Sequence, residues 1–526
     1  MARPVSPWTL RFAALGAGLA AALAHPPFGV LPGLLGYALL LWLLDRAGPR
    51  RLRSAFFRAW LAGVGYFGLG CWWIVEPFFV DAKDQAWMAP IALPLTAGGL
   101  ALFWGLAGLL YRAVAPRGWA RVIVFAGALA LFEWLRGHVL TGFPWDLPGE
   151  TWRAGSAPSQ AAALVGAYGL SWITIVLAAA PALLFDPVTR RRRAAMAAVM
   201  LALLAVLYGF GAARLAGGEP APGASPMIRV VQADIDQKDK WRPEHLAAIF
   251  QTYVELSRRP APRHPDVVIW PEGALPAVID ELLAPDSPYG PRLRDTVDPG
   301  QTLILGANRA QPKADGGLAY FNSLIAFRRE AGGLKVTAVY DKYRLVPFGE
   351  YMPLGALASK VGFRSLVHMP DDFSAGPPPR PATPAGLPPF QPLICYEALF
   401  PGFTREGAAR ADLRPTWILN ISNDAWFGRT SGPLQHLNLA SYRAIEEGLP
   451  MVRATPTGVS AVIDAFGRTE PGKRLGLGDF GVIDARLPPA LGPTPYERLG
   501  DIPFWSLVAL SALIAAAERA RRLGGT

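Results

Sequence analysis

Cysteine is nearly absent from this chain: two in 526 residues, Cys71 and Cys395. Two thiols cannot build a disulfide framework, which excludes the small stapled secreted folds. Charge is scarce too, at 17% Asp, Glu, Lys and Arg, against roughly 25% in an average soluble domain. Lysine supplies only 8 of the 51 basic residues, and the six histidines show no metal-ligand spacing. Hydrophobic residues, by contrast, make up 52% of the chain. They gather into seven apolar stretches of about 17 to 27 residues within the first 215 positions and an eighth from about Ile502 to Ala517, each able to cross a hydrocarbon core of ~30 Å. Eight membrane helices are therefore expected. The first, around Phe12 to Ala24 behind Arg3 and Arg11, has the look of a secretory signal, but six further spans follow at once and favour an uncleaved helix.

Arginine sets the expected orientation. Arg46, Arg50, Arg51, Arg53 and Arg58 join the second span to the third, Arg112, Arg117 and Arg121 the fourth to the fifth, and Arg190 to Arg193 the sixth to the seventh. Alternate connections are nearly bare, so the positive-inside bias puts both termini, with Arg519, Arg521 and Arg522, in the cytoplasm. The long segment between spans seven and eight then faces outward, in the periplasm of a two-membrane bacterium. The expected division is a membrane part over 1–216, a linker over 217–226, an extracytoplasmic domain over 227–500, and the last span and tail over 501–526. Residues 1–226 carry 18 basic and 9 acidic residues, whereas 227–500 carry 30 and 29. The net charge of +11 thus belongs mostly to membrane topology, and a nucleic-acid role loses its main support.

The outward segment, about 275 residues, is long enough for a full core. Short β-branched runs recur at 227–234, 266–272, 302–308, 323–329, 335–342, 392–397, 416–422, 451–455 and 460–467, with helical patterns at 243–259 and 434–448. Strands alternating with helices predict an α/β domain of layered sheets. A Pro-rich stretch, 376–389, reads as a surface loop.

Reactive groups in such domains collect where strands end. Glu272 closes "VVIWPE", Lys342 closes "VTAVYDK", and Cys395 closes "PLIC". Singly, each has a bland reading as a turn acid, a solvated cation or a core thiol. Together they form a chemical set. A thiol attacks as thiolate and needs a base such as Glu272, and the tetrahedral intermediate needs a cation such as Lys342. In an arginine-rich chain, a lysine kept at 342 points to a compact ammonium. Cys71, in "GLGCWWIV", reads as a small buried residue inside a span. An unpaired Cys395 in an oxidising compartment is a liability unless it is used.

The Glu, Lys, Cys set within "IWPEGALP", "YDKYRLVPFGEYMP" and "LICYEALFP" resembles the nitrilase superfamily. With seven spans before it and one after, the whole chain is similar to the apolipoprotein N-acyltransferase family. "FEWLRGHVLTGFPW" (132–145), "NISNDAWFGRTSGPLQH" (420–436) and "SYRAIEEGLPMVRAT" (441–455) add to the likeness. The resemblance implies an αββα sandwich and a two-stage reaction through a thioester on Cys395. The donor would be a membrane phospholipid, usually phosphatidylethanolamine, and the acceptor the α-amine of the S-diacylglyceryl cysteine of a diacylated apolipoprotein; the product is a triacylated lipoprotein. No cofactor or metal is implied. Glu272, Lys342 and Cys395 would be catalytic. Glu350 and Glu397 would hold Lys342 and neighbouring groups, Tyr396 would shape the pocket, and Trp241 would line the acyl-chain entrance. "YMPLGALASKVGFRSLVHMP" (351–370) reads as an interfacial lid or as a helix covering the sheet.

One departure stands out. After "VRAT" the family usually carries an asparagine before Thr-Gly or Asn-Gly, where this chain has Pro456 before Thr457 and Gly458. Two rivals remain at this level: a membrane-tethered nitrilase-type amidase that gives the acyl group to water, and a lipid-binding protein without catalysis. Eight spans disfavour the first, and the intact Glu272, Lys342, Cys395 set the second.

Overall fold

Each of the eight apolar stretches folds into a helix: α1 (Pro7–Leu23), α2 (Leu35–Asp45), α3 (Leu52–Gly70), α4 (Ala89–Val114), α5 (Ala120–His138), α6 (Ala162–Ala179), α7 (Arg190–Ala216) and a closing helix, Ile502–Leu523. These come from a computed structural model that describes residues 6–47, 51–220, 223, 225–314, 316–353 and 371–523. The chain forms two units, Met1–Gly218 with Pro493–Thr526, and Glu219–Gly492. Among the described residues, four segments are long and apolar enough to cross a membrane: Ala82–Val114, Pro158–Phe185, Arg190–Ala216 and Ile502–Arg521. The other four helices fall short in length or apolarity, α2 most plainly with 11 residues.

Small residues let the helical unit close up. A Cβ on Gly18 would stand 1.7 Å from the Ala62 carbonyl oxygen, so α1 and α3 meet backbone to backbone. Several buried polar side chains inside the unit are matched. Glu133 accepts from Trp104 Nε1 at 2.6 Å and from Arg136 Nε at 3.1 Å, and Arg136 also donates to the Phe143 carbonyl. The "FEWLRGH" run therefore builds a buried ion pair, the condition for keeping charge in apolar surroundings. Tyr66 donates to the Asp146 carbonyl at 2.7 Å and lies 2.6 Å from His25 Nε2. Arg121 joins Asp45 and Asp186 at 2.7 and 2.6 Å, drawing together the ends of α2, α5 and the segment after α6. Cys71 is buried as expected, but it follows α3 instead of lying within it: its φ of −114° breaks the helix, and a 3₁₀ stretch, Trp72–Phe79, takes over.

The second unit holds two sheets. Strands β1 (Met227–Gln232), β2 (Val267–Ile269), β3 (Thr302–Pro312), β4 (Leu318–Glu330) and β5 (Gly333–Asp341) form the first, and β6 (Phe390–Ile394), β7 (Trp417–Ile421), β8 (Met451–Ala454), β9 (Ser460–Ile463) and β10 (Thr469–Leu475) the second; β11 (Gly481–Arg486) returns to the first. The orders are β11-β1-β2-β3-β4-β5 and β10-β9-β8-β7-β6. The parallel neighbours β1/β2/β3 and β6/β7/β8 put several strand ends on one edge of each sheet. β10 and β11 were not among the expected runs.

Period-two alternation explains the layers. Val230, Ile269, Ile304 and Leu324 share one core with Ile394, Leu419, Val452 and Val462 of the second sheet. The residues between them, Val231, Val268, Leu303 and Leu305, pack outward with Phe250, Tyr253 and Leu256 of α8 (Leu246–Ser257). Helix α9 (Gly432–Glu447) is buried along nearly all its length and packs against the turn that follows β6, its Arg443 donating to the Leu399 carbonyl at 2.7 Å. Residues 376–389 form a loop with one bridge, Ala382 to Phe390. The expected lid at 351–370 falls almost wholly on 354–370, outside the described residues.

Candidate active site

Glu272 follows the short strand β2 through Trp270 and Pro271. Its backbone crosses β3 at Gly306, where a Cβ would lie 2.5 Å from the Glu272 Cα; any side chain there would displace the carboxylate. Glu272 Oε1 accepts from Asn322 Nδ2 at 2.6 Å and lies 3.3 Å from Lys342 Nζ. Its Oε2 is buried and has no partner among the described residues.

Lys342 follows β5, its N–H bonded to the Asn322 carbonyl at 2.8 Å. Its ammonium also bonds Glu350 Oε1 at 3.0 Å, and Asn322 Nδ2 bridges to that same oxygen at 2.7 Å. Burial alone would lower the Lys342 pKa, but Glu272 and Glu350 hold it above the ordinary lysine range. The ammonium is thus a fixed cation. Glu350 Oε2 accepts the Val346 N–H at 2.8 Å, which locks the "VPFGE" turn around the lysine.

Cys395 comes from the other sheet. It ends β6, opens a 3₁₀ turn over Cys395–Leu399, and takes a φ of 48°, the left-handed region. For a non-glycine residue this strain costs about 1–3 kcal/mol and persists only where neighbours impose it. Glu397 is one such neighbour: its Oε2 accepts the Ile394 N–H at 2.8 Å, while its Oε1 accepts Tyr340 Oη at 2.7 Å and the N–H groups of Tyr343 and Arg344 at 2.8 and 3.1 Å. Glu397 therefore holds the groups next to Lys342 and ties the turn at Cys395 to the loop that carries the lysine. Its carboxyl is raised to about 7, chiefly by burial. The Cys395 thiol is pushed up to about 12 by burial and by the Glu272 charge, against the pull of Lys342. At neutral pH it rests protonated.

The expected set thus converges: Glu272 and Lys342 both act electrostatically on Cys395. Tyr396 is buried with its ring edge-on to Phe400 at 5.0 Å, a packing role. Trp241 follows a short helix, Gln237–Lys240, with its ring 5.9 Å from Lys240 Nζ. Lys240 is buried near Glu272, and burial lowers its pKa to about 8. After Pro456, Gly458 packs on Asp424, where a Cβ would come within 2.4 Å, and the Thr457 hydroxyl donates to Asp234.

Asn322 was not anticipated. It sits mid-strand in β4 and joins the two carboxylates; the polar residue inside "YFNSLIAF" was the available signal. Also unanticipated in role are Asp424, His436 and Arg453, all buried around Cys395. Among the described residues, no three His, Cys, Asp or Glu side chains form a metal-holding group.

Two family models match, the apolipoprotein N-acyltransferase N-terminal domain over residues 17–180 and carbon-nitrogen hydrolase over residues 227–490. A protein of Caulobacter vibrioides named apolipoprotein N-acyltransferase is 54% identical over 525 residues, covering 99% of this chain and 97% of its own. The chain belongs to the apolipoprotein N-acyltransferase family. Family members from Bradyrhizobium diazoefficiens and Rhodopseudomonas palustris bear the same name at 38% and 37% identity, over 97% and 96% of this chain and 95% of each relative. Among solved structures, an amidase from Nesterenkonia sp. matches 52% of this chain and 94% of its own at 21% identity, with a TM-score of 0.34. The family makes this chain an acyltransferase with a nitrilase-like α/β unit joined to apolar, membrane-associating helices.

Proposed function

We propose that the chain takes an acyl chain from a membrane phospholipid, phosphatidylethanolamine in the first instance, onto Cys395 and passes it to the α-amine of a diacylated apolipoprotein. The observation that carries this reading is the divided state of Glu272: Oε1 is held by Asn322 and Lys342, and Oε2 is buried without a partner beside a protonated thiol. An oxygen in that state is a general base in waiting. In the first half-reaction Cys395 Sγ bonds the ester carbonyl carbon and its proton passes to Glu272 Oε2. Lys342 neutralises the oxyanion; the ester C–O bond breaks, and the proton leaves with the lysophospholipid alcohol. In the second, the amine nitrogen bonds the thioester carbon, loses a proton to Glu272, and expels the thiolate, which is reprotonated. Ester plus amine become alcohol plus amide, with no redox step.

The topology belongs to the same proposal: eight spans, both termini cytoplasmic, residues 227–500 outside. Its support is that Arg121, Asp45 and Asp186 join the arginine-rich connections at one end of the helical unit, while His25, Tyr66 and Asp146 gather the arginine-poor connections elsewhere. Trp241 is proposed to line the acyl-chain path, and Tyr396 to shape the pocket.

Intact-mass analysis of the purified protein after exposure to phosphatidylethanolamine vesicles tests the reading. The expected result is one acyl adduct on Cys395, absent in Cys395→Ala and discharged by a synthetic diacylated peptide. An adduct discharged by water as fast as by the peptide would favour an amidase, and an adduct surviving in Cys395→Ala would remove the nucleophile.

A further inference from the structure

Behind Cys395 lies a buried polar chain that the proposed chemistry leaves unused. His436 on α9 is 1% exposed; its Nδ1 lies 3.0 Å from Asp424 Oδ1 and its Nε2 lies 3.3 Å from the Cys395 carbonyl oxygen. The carbonyl and the Asp424 carboxylate can each only accept, so the ring holds both at once when both nitrogens carry a proton, Nδ1–H toward Asp424 and Nε2–H toward the carbonyl. Asp424 is gripped in turn by Arg453 Nη2, at 2.7 and 2.9 Å, and by the Ser422 hydroxyl at 2.8 Å. Arg453 is anchored on Asn420. The imidazole is thus clamped at the far end of a fixed Arg453–Asp424 pair and aimed at one carbonyl.

That carbonyl belongs to the strained residue. The peptide linking Cys395 to Tyr396 is planar and trans, so its C=O and its N–H point in opposite directions. Whatever fixes the carbonyl also aims the Tyr396 N–H. We propose that His436 is a positioning residue for the acyl transfer: by holding the Cys395 carbonyl it keeps the nucleophile in its left-handed conformation and aims the Tyr396 N–H, with the Lys342 ammonium, at the oxyanion. The inference rests on the acyl-thioester reading above.

The test separates two reactions of one thiol. Alkylation by iodoacetamide is a displacement at saturated carbon and needs no oxyanion donor; thioester formation does. In the full-length detergent-purified protein, His436→Leu is expected to slow thioester formation from phosphatidylethanolamine by about 10²–10³-fold, the effect of losing an aligned donor. The change falls on kcat, KM for the lipid is kept, and Cys395 alkylation stays near the native rate. His436→Gln, whose amide N–H reaches the same carbonyl, restores at least part of the rate, whereas the shorter His436→Asn does not; this pair carries the comparison if the leucine variant fails to fold. A native thioester rate in the leucine variant, equal rates for the glutamine and asparagine variants, or a parallel loss of alkylation and acylation would each overturn the assignment. If the unmodified protein is alkylated at Cys395 yet forms no thioester with phospholipid, the acyl-enzyme reading itself fails, and the role of His436 goes with it.

Discussion

Two buried acid-base clusters, one in each unit, solve the same electrostatic problem differently. In the helical unit Glu133 uses both carboxylate oxygens, one on Trp104 and one on Arg136, and a single cation answers a single anion. In the α/β unit two carboxylates, Glu272 and Glu350, share Lys342, and Glu272 Oε2 stays unmatched. The first arrangement is closed and holds structure. The second keeps one carboxylate oxygen in reserve near the Cys395 thiol, which burial and the Glu272 charge keep protonated at neutral pH.

The sharpest way to break the comparison is to remove the reserve. Glu272→Gln should cut acyl transfer by about 10²–10⁴-fold, the usual worth of a positioned base. The same substitution should make Cys395 easier to ionise, because after burial it is the Glu272 charge that holds its thiol up at about 12. The pH curve of iodoacetamide labelling should therefore move to lower pH while transfer collapses. A curve that moves up, or transfer that survives, would deny Glu272 its role. Next in size, Arg136→Met strands Glu133 without its cation and should cost about 3–5 kcal/mol of stability, read as a fall in Tm. Thioester formation per folded molecule should persist; its loss would mean that the closed cluster also serves chemistry.

Smaller effects grade the Lys342 cluster itself. Glu350→Gln removes one of the two anions on Lys342 and loosens the turn held at Val346. A misplaced lysine should lower kcat by roughly 10–10²-fold with little change in fold stability. Trp241→Ala should be the mildest, raising KM for the donor lipid a few-fold, in keeping with one aromatic contact worth about 0.5–1.5 kcal/mol. An effect on kcat as large as that of Glu350→Gln would move Trp241 from the path to the reacting centre.

Much of this was legible because strands buried on both faces read as short apolar runs, and their polar final residues stand out. Glu272 and Cys395 were visible for that reason, and Lys342 because it closes the β-branched run of the less buried β5 in a chain poor in lysine. Asn322 was hidden because the β4 run was begun at Ser323, one residue too late, and a mid-strand amide has no periodic signature. His436, Asp424 and Arg453 were hidden for another reason. Polar residues on a helical pattern such as 434–448 are ordinarily assigned to water, yet α9 is buried around almost its whole circumference, so its polar side chains point into protein. Glu397 acts through the backbone: two residues after Cys395 in sequence, it holds the Ile394 N–H before the thiol and the Tyr343 and Arg344 N–H groups after the lysine. β10 lacks an apolar run because none of its residues is fully buried, and β11, "GVIDAR", has an alternation only six residues long.

The strand order of the first sheet has a consequence for synthesis. β1, the first strand of the α/β unit, pairs on one side with β2 but on the other with β11, Met227 opposite Arg486. While the ribosome makes the nearly 250 residues between these strands, one flank of β1 has no native partner. Such an edge invites pairing with the wrong chain. The seam between the first and last strands is therefore the step that completes the sheet, and a chain truncated before Gly481 would keep an intact Glu272, Lys342 and Cys395 yet leave that seam open.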